Sequence, residues 1–154
     1  MTTTLRTNQP IYRNHTSKYS APTLPTAKEL TTGSIWFCDL GNEKLPALQA
    51  GVRPCLVVQN EMGCIHSPRV WVFPLTSKTE KAKTKRLPMH VFIPKSETNN
   101  LWEDSVILVE QARNVLKSDF INYIGECESH HIEQCSQAAI LNWGIFTPQS
   151  AQSA

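Results

Sequence analysis

Arg53 lies in Gly51-Val52-Arg53-Pro54-Cys55-Leu56-Val57-Val58-Gln59-Asn60, a lone cation between a glycine turn and a proline. An apolar, largely β-branched run follows it, which is the composition of a buried strand. The guanidinium is therefore held at a strand mouth. Arginine keeps its charge and its planar fork matches phosphate oxygens, so this position suits an anion clamp; a solvated or weakly ion-paired arginine is the plainer reading. Between Ser77 and Leu87, Lys78, Lys81, Lys83, Lys85 and Arg86 face only Glu80, a local charge of +4. That segment has no apolar period and reads either as a solvated loop or as a basic flap that neutralises phosphates. Cys127, His131 and Cys135 recur four apart with His130 alongside. Three ligands on one helix without a second ligating segment make a poor zinc site, and partly buried cysteines beside exposed histidines account for the pattern; no metal is expected.

The elements that must position these residues follow from alternation and punctuation. Gly33 to Leu40 reads as a first strand, Gly41 to Gly51 as a loop, and Pro54 to Gln59 as a second strand. Glu61 to Pro68 reads as a connecting loop that carries His66. Arg69 to Thr76 is a third strand, apolar on both faces and hence central, and Thr76 stands where it stops. Met89 to Ile93 and Asp104 to Gln111 are further strands, with Gln111 and Arg113 just past the apolar part of the latter. A short strand over Asn114 to Lys117 and one helical turn near Ser118 to Asn122 follow. Glu126 and Glu128 suit the start of a C-terminal helix on which Ile132, Cys135, Ala139, Trp143 and Phe146 share a stripe, broadened by Ala138, Leu141 and Ile145 and ended by Pro148. Five or six short strands and one terminal amphipathic helix imply a small closed or half-closed barrel, mainly β with α, capped by that helix.

The totals set bounds on function. At 154 residues with a net charge of +2, the chain has room for one domain and any nucleic-acid footprint must be local. Residues 1–30 are polar and carry Arg6, Arg13, Lys18 and Lys28 with no acid before Glu29, the composition of a disordered basic tail; 31–147 form the domain and 148–154 a second disordered tail. Five cysteines without a C-x-x-C pair fit a reducing compartment. The apolar runs fall well short of the ~20 residues that cross a bilayer, so a cytoplasmic protein without membrane contact is expected.

Taken together, Gly33 to Leu40, Gly51 to Asn60, Ser67-Pro68, Leu75-Thr76, Leu87 to Val91 and Asp104 to Arg113 resemble, in order and with similar loop lengths, the MazF/PemK (Kid) family of bacterial toxin endoribonucleases, nearest to its Gram-positive branch. The resemblance covers about residues 33 to 147. It implies an SH3-like β-barrel of five to seven strands with a C-terminal amphipathic helix, assembled as a homodimer. It further implies a type II toxin that cuts single-stranded RNA without a cofactor or metal, leaves a 2′,3′-cyclic phosphate and a 5′-hydroxyl, and is restrained by a cognate antitoxin, with DNA contacted only through the antitoxin complex. Arg53 falls on the family's catalytic arginine, Thr76 on its catalytic threonine, and Gln111 on a polar position beside the site. In the loop before the arginine, where the family usually carries a glutamate followed by glutamine, this chain has Leu48 and Gln49; Glu43 stands nearby in the same loop.

Such cleavage needs an activated 2′-hydroxyl, a stabilised phosphorane and a protonated 5′-oxygen. Arg53 suits charge stabilisation better than proton donation, because a guanidinium holds its proton too tightly to be an efficient acid near neutral pH. Thr76 suits bonding a non-bridging oxygen or orienting the 2′-hydroxyl, against the plainer reading of a strand-end threonine bonded to backbone. His66, as an imidazole in the loop after the second strand, is the candidate base. Gln49, Gln111, His66, Lys78, Lys81, Lys83, Lys85 and Arg86 form the expected RNA-binding set, and Trp36 and Trp102 read as either base-stacking or packing residues. The rival to the enzyme is a catalytically inactive binding module of the same barrel, or a gyrase-directed toxin built on it. Leu48 is the feature that keeps it in play.

Overall fold

The computed structural model describes residues 30–43, 45–80 and 87–144. Apart from Leu30, both expected disordered tails lie outside these residues, as do Lys81, Lys83, Lys85 and Arg86 of the basic flap and Ile145, Phe146 and Pro148.

Among the described residues there are seven strands: β1 (Ser34–Asp39), β2 (Val52–Val57), β3 (Arg69–Thr76), β4 (His90–Ile93), β5 (Ser105–Leu108), β6 (Arg113–Leu116) and β7 (Phe120–Glu126). All ladders are antiparallel, in the order β4-β5-β3-β2-β1-β7, with β6 also on β3. This is a strongly bent sheet rather than a cylinder closed by hydrogen bonds. The sheet is joined by α1 (Glu61–His66) and α2 (Ser129–Asn142).

Side-chain alternation explains why β1, β2 and β3 sit at the centre. In each, successive residues enter different cores: Ile35, Leu56, Phe73 and Leu75 face the side covered by α2, whereas Trp36, Cys55, Val57 and Val72 face the other side with Val115 and Phe120. Leu30 is buried in the second core, so the folded unit includes it. Pro74 sits where β3 changes partner on one edge, from β6 at residues 69 to 72 to β5 at residues 75 and 76. A residue without an N–H belongs at such an interruption.

Three expectations are corrected. Glu61 to His66 is a short helix rather than a loop, because Asn60 caps it by accepting from the Gly63 N–H at 2.8 Å and Cys64 is buried beneath it. The helical turn expected over Ser118 to Asn122 is a 3-10 turn at Lys117–Asp119 followed by β7, which pairs along β1 with two register shifts. Finally, α2 stops at Asn142 rather than at Pro148: Gly144 takes a φ of 59° and donates back to the Leu141 carbonyl, so Leu141 and Trp143 are exposed.

The first turn of α2 is tied to the β4–β5 connection. Burial raises the carboxyl pKa of Glu128, but hydrogen bonds from Ser96, a backbone N–H and Asn99, with His131 adding attraction, outweigh it, and the net shift is downward. A carboxylate depressed in the fold stabilises it above its unfolded pKa, and that contribution disappears as pH falls through the folded value. Urea unfolding should accordingly show a loss of stability as pH drops below the ordinary glutamate value of 4.5, and Glu128→Gln should flatten that part of the profile.

Candidate active site

Arg53 and Thr76 lie at the same end of the β2–β3 ladder. The β2–β3 ladder pairs Val57 with Val72, Leu56 with Phe73 and Cys55 with Pro74, and then opens. Arg53 and Thr76 both lie past that open end, each two residues beyond the last pair, Cys55 and Pro74. On its other side Arg53 pairs with Cys38 of β1, and Thr76 pairs with Val106 of β5. Both side chains are half-buried. Arg53 Nε donates to the Ala50 carbonyl at 3.2 Å, and the Thr76 hydroxyl accepts from the Lys78 N–H at 3.3 Å. The threonine thus makes the strand-end backbone bond anticipated for it while its hydroxyl proton remains available to a ligand oxygen.

The loop between β1 and β2 borders this opening. Its base is closed by Leu40 N–H to the Gly51 carbonyl at 2.9 Å and Gly51 N–H to the Gly41 carbonyl at 2.6 Å, with φ of 82° at Gly41 and 72° at Gly51. Those values require glycine at both ends. Within the loop, Leu48 N–H returns to the Leu45 carbonyl at 3.2 Å around Pro46 and Ala47, and Ala47 has a φ of 61°. This is the arrangement of a type II turn with alanine where glycine is usual. Glu43 and Leu48 are exposed on the loop and Gln49 is half-buried.

Gln111 reaches this loop from the 3-10 turn Val109–Gln111. Its Oε1 accepts from Gln49 N–H at 2.9 Å and its Nε2 donates to the Ala47 carbonyl at 2.9 Å. Arg113, two residues on, donates through Nη1 to the Leu40 carbonyl at 3.3 Å, and its buried Nη2 has no hydrogen-bond partner among the described residues. This half-buried guanidinium thus keeps an unused, buried donor at the base of the same loop. Its sequence signal is a cation just past an apolar run, whereas Arg53 stands just before one.

Other expected members are not brought here. His66 is exposed in the last turn of α1, beyond the opposite ends of β2 and β3, about 13 Å of strand away from Arg53. Trp36 is buried, donates to Ser34 Oγ at 2.9 Å and packs edge-on against Phe120 and Tyr123, so it presents no face to a base. Lys78 is exposed immediately after Thr76. Cys127 and Cys135 are buried, which pushes both thiols up to about 12, and among the described residues no group of three or more His, Cys, Asp or Glu could hold a metal.

Residues 31–142 match the model of the PemK-like, MazF-like toxin of type II toxin-antitoxin systems. The endoribonuclease MazF of Staphylococcus saprophyticus is 33% identical over 122 residues, 77% of this chain and 94% of that protein. The endoribonuclease EndoA of Bacillus subtilis is 35% identical over 114 residues, 74% and 94% respectively. Among solved structures, a mycobacterial endoribonuclease in complex with its cognate antitoxin aligns over 77% of this chain and 99% of its own with a TM-score of 0.61 at 20% identity. MazF from Deinococcus radiodurans aligns over 75% and 97% with a TM-score of 0.61 at 18% identity. Both share the fold.

Proposed function

The chain belongs to the PemK-like, MazF-like toxin family of type II toxin-antitoxin systems, and from that premise we propose that Arg53 and Thr76 form the catalytic pair of its endoribonuclease site. The protein is a MazF-like toxin endoribonuclease. The observation that supports the assignment of the site is that Arg53 and Thr76 lie past the same open end of the β2–β3 ladder, each two residues beyond its last pair.

The substrate supplies its own nucleophile. The 2′-oxygen attacks the adjacent phosphorus, the bond to the 5′-oxygen breaks, and the products are a 2′,3′-cyclic phosphate and a 5′-hydroxyl. One proton leaves the 2′-hydroxyl and one reaches the departing oxygen. Positioning and charge stabilisation are what the protein adds. Arg53, oriented by the Ala50 carbonyl, faces the phosphorane charge with a donor fork that matches two oxygens. Thr76 donates its hydroxyl proton to a non-bridging oxygen. Arg113 adds positive potential at the loop base. Lys78, Lys81, Lys83, Lys85 and Arg86 hold the flanking phosphates, with Gln49 beside the cleaved residue.

The working form is a homodimer. Trp71, Leu141 and Trp143 are large apolar side chains left exposed, and Trp143 packs its ring edge against Phe73, the β3 neighbour of Trp71 on the same face. Single-stranded RNA and a cognate antitoxin with an acidic segment are the partners, in the cytoplasm, and DNA is contacted only through the antitoxin. Among the described residues no helix is long and apolar enough to cross a membrane.

Incubation of the purified chain with a long single-stranded RNA in excess EDTA tests the reading. Discrete fragments that end in cyclic phosphates are expected. Intact RNA at high protein concentration would sink the metal-independent reaction and favour a binding module.

A further inference from the structure

We propose that Gln111 is a positioning residue, which fixes Arg53 through the loop at residues 45–50 and does not itself read RNA; this rests on Arg53 being the phosphate-facing group proposed above. Each end of the Gln111 amide is engaged by backbone of the opposite polarity, Oε1 by the Gln49 N–H and Nε2 by the Ala47 carbonyl, both at 2.9 Å. That complementarity fixes which end is oxygen and which is nitrogen. A side chain held in this way is a clamp.

What it clamps is strained. Ala47, at a φ of 61°, occupies a left-handed position that is strained for an L-residue. Among the described residues, the two Gln111 bonds tie residues 47 and 49 to the barrel, and the Leu48 to Leu45 bond closes the turn within the loop. One residue beyond Gln49, the Ala50 carbonyl accepts from Arg53 Nε. Gln111 therefore sits at one end of a chain of contacts whose other end is the guanidinium.

The carrier of Gln111 is itself anchored. Val109 N–H donates to the Met89 carbonyl at 3.3 Å, and His90 Nε2 meets Glu110 Oε1 at 2.8 Å, so β4 holds the 3-10 turn from behind. The loop is gripped from a rigid support, and rigidity is what positions a catalytic group.

The test uses the full chain labelled with nitrogen-15, comparing Gln111→Met, which keeps the length and loses both bonds, with Gln111→Glu, which keeps the acceptor for Gln49 but turns an oxygen towards the Ala47 carbonyl. In Gln111→Met, exchange of the Gln49 amide should accelerate about 10-fold and the Arg53 Nε–H signal should lose its protection. Cleavage kcat should fall about 10- to 100-fold with KM and the set of cut positions unchanged. Gln111→Glu should fall between wild type and Gln111→Met in both measurements. Unchanged protection at Gln49 and Arg53 overturns the proposal, as does a rise in KM or a new set of cut positions, which would make Gln111 an RNA contact. If the wild-type chain cuts no RNA, the assignment of the active site fails while the exchange measurements still decide whether Gln111 holds Arg53.

Discussion

Arg53→Ala should lower the rate of cleavage of single-stranded RNA by about 10³-fold while leaving the fold intact. Removing one neutral donor from an oxyanion site costs ~10² to 10³ in kcat, and Arg53 contributes a full charge in addition. The structural cost is small because the side chain is half-buried and makes one hydrogen bond, to the Ala50 carbonyl. Urea unfolding should therefore shift by no more than about 1 kcal/mol. Arg53→Lys should recover little, because an ammonium cannot both face two phosphate oxygens and keep the geometry of Nε towards Ala50. The discriminating measurement is single-turnover cleavage with saturating protein, which isolates chemistry from RNA binding. A loss below about 5-fold under those conditions would remove Arg53 from the reacting phosphate and leave it as a binding cation.

Leu48 raises the question of what accepts the 2′-hydroxyl proton. In the family the corresponding loop position usually holds a glutamate, and here an exposed leucine stands there, with Glu43 exposed earlier in the loop. His66 is removed as a candidate by position: the chain passes through β2, α1 and β3 in succession, so α1 caps the end of the β2–β3 pair away from Arg53 and Thr76. The groups that the fold does gather at the opening are cations and neutral donors. They suit stabilisation of developing negative charge, which places most of the rate enhancement on electrostatics and orientation.

Local pattern carried much of the fold. The apolar runs of β1, β2 and β3 are legible because a strand buried on both faces has few polar interruptions, and β3 was read with the limits observed, Arg69–Thr76. β7 was not legible: Phe120–Glu126 contains Asn122 and Gly125, and its pairing with β1 includes two register shifts that break simple alternation. The short helix α1 had one local signal, Asn60 before Glu61, which is the signature of a helix cap. The site divides in the same way. Arg53 and Thr76 were marked by their places at strand ends and by the family resemblance, whereas the two bonds of Gln111 join residues 62 and 64 positions apart. No window of sequence contains such a contact, and its consequence for Arg53 emerges only when the loop is folded back onto the 3-10 turn.

The largest effect on stability is expected from Gly125→Ala, at a position far in role from the chemistry. A Cβ built on Gly125 would lie 2.5 Å from the Asn99 carbonyl oxygen, 2.6 Å from its carbon and 2.8 Å from the Thr98 oxygen. These are backbone atoms that no rotamer change can move. The segment cannot simply retreat, because the buried Asn99 side chain accepts from Ser96 N–H and Leu101 N–H and donates to the Pro94 carbonyl and to Glu128, while Glu126 N–H donates to the Thr98 carbonyl at 3.0 Å. One methyl group therefore sets β7 against the β4–β5 connection and the first turn of α2 together. Overpacking against fixed backbone costs about 3 kcal/mol, the upper part of the usual range. For a folded unit of this size that corresponds to a fall in Tm of roughly 10 to 15 °C. Cleavage by the folded fraction at low temperature should keep its wild-type kcat, since Gly125 pairs with Ile35 at the start of β1 and Arg53 with Cys38 near its end. A shift in stability below about 1 kcal/mol would mean that the Asn99 segment yields, and that its hydrogen bonds do not hold β7 and α2 in register.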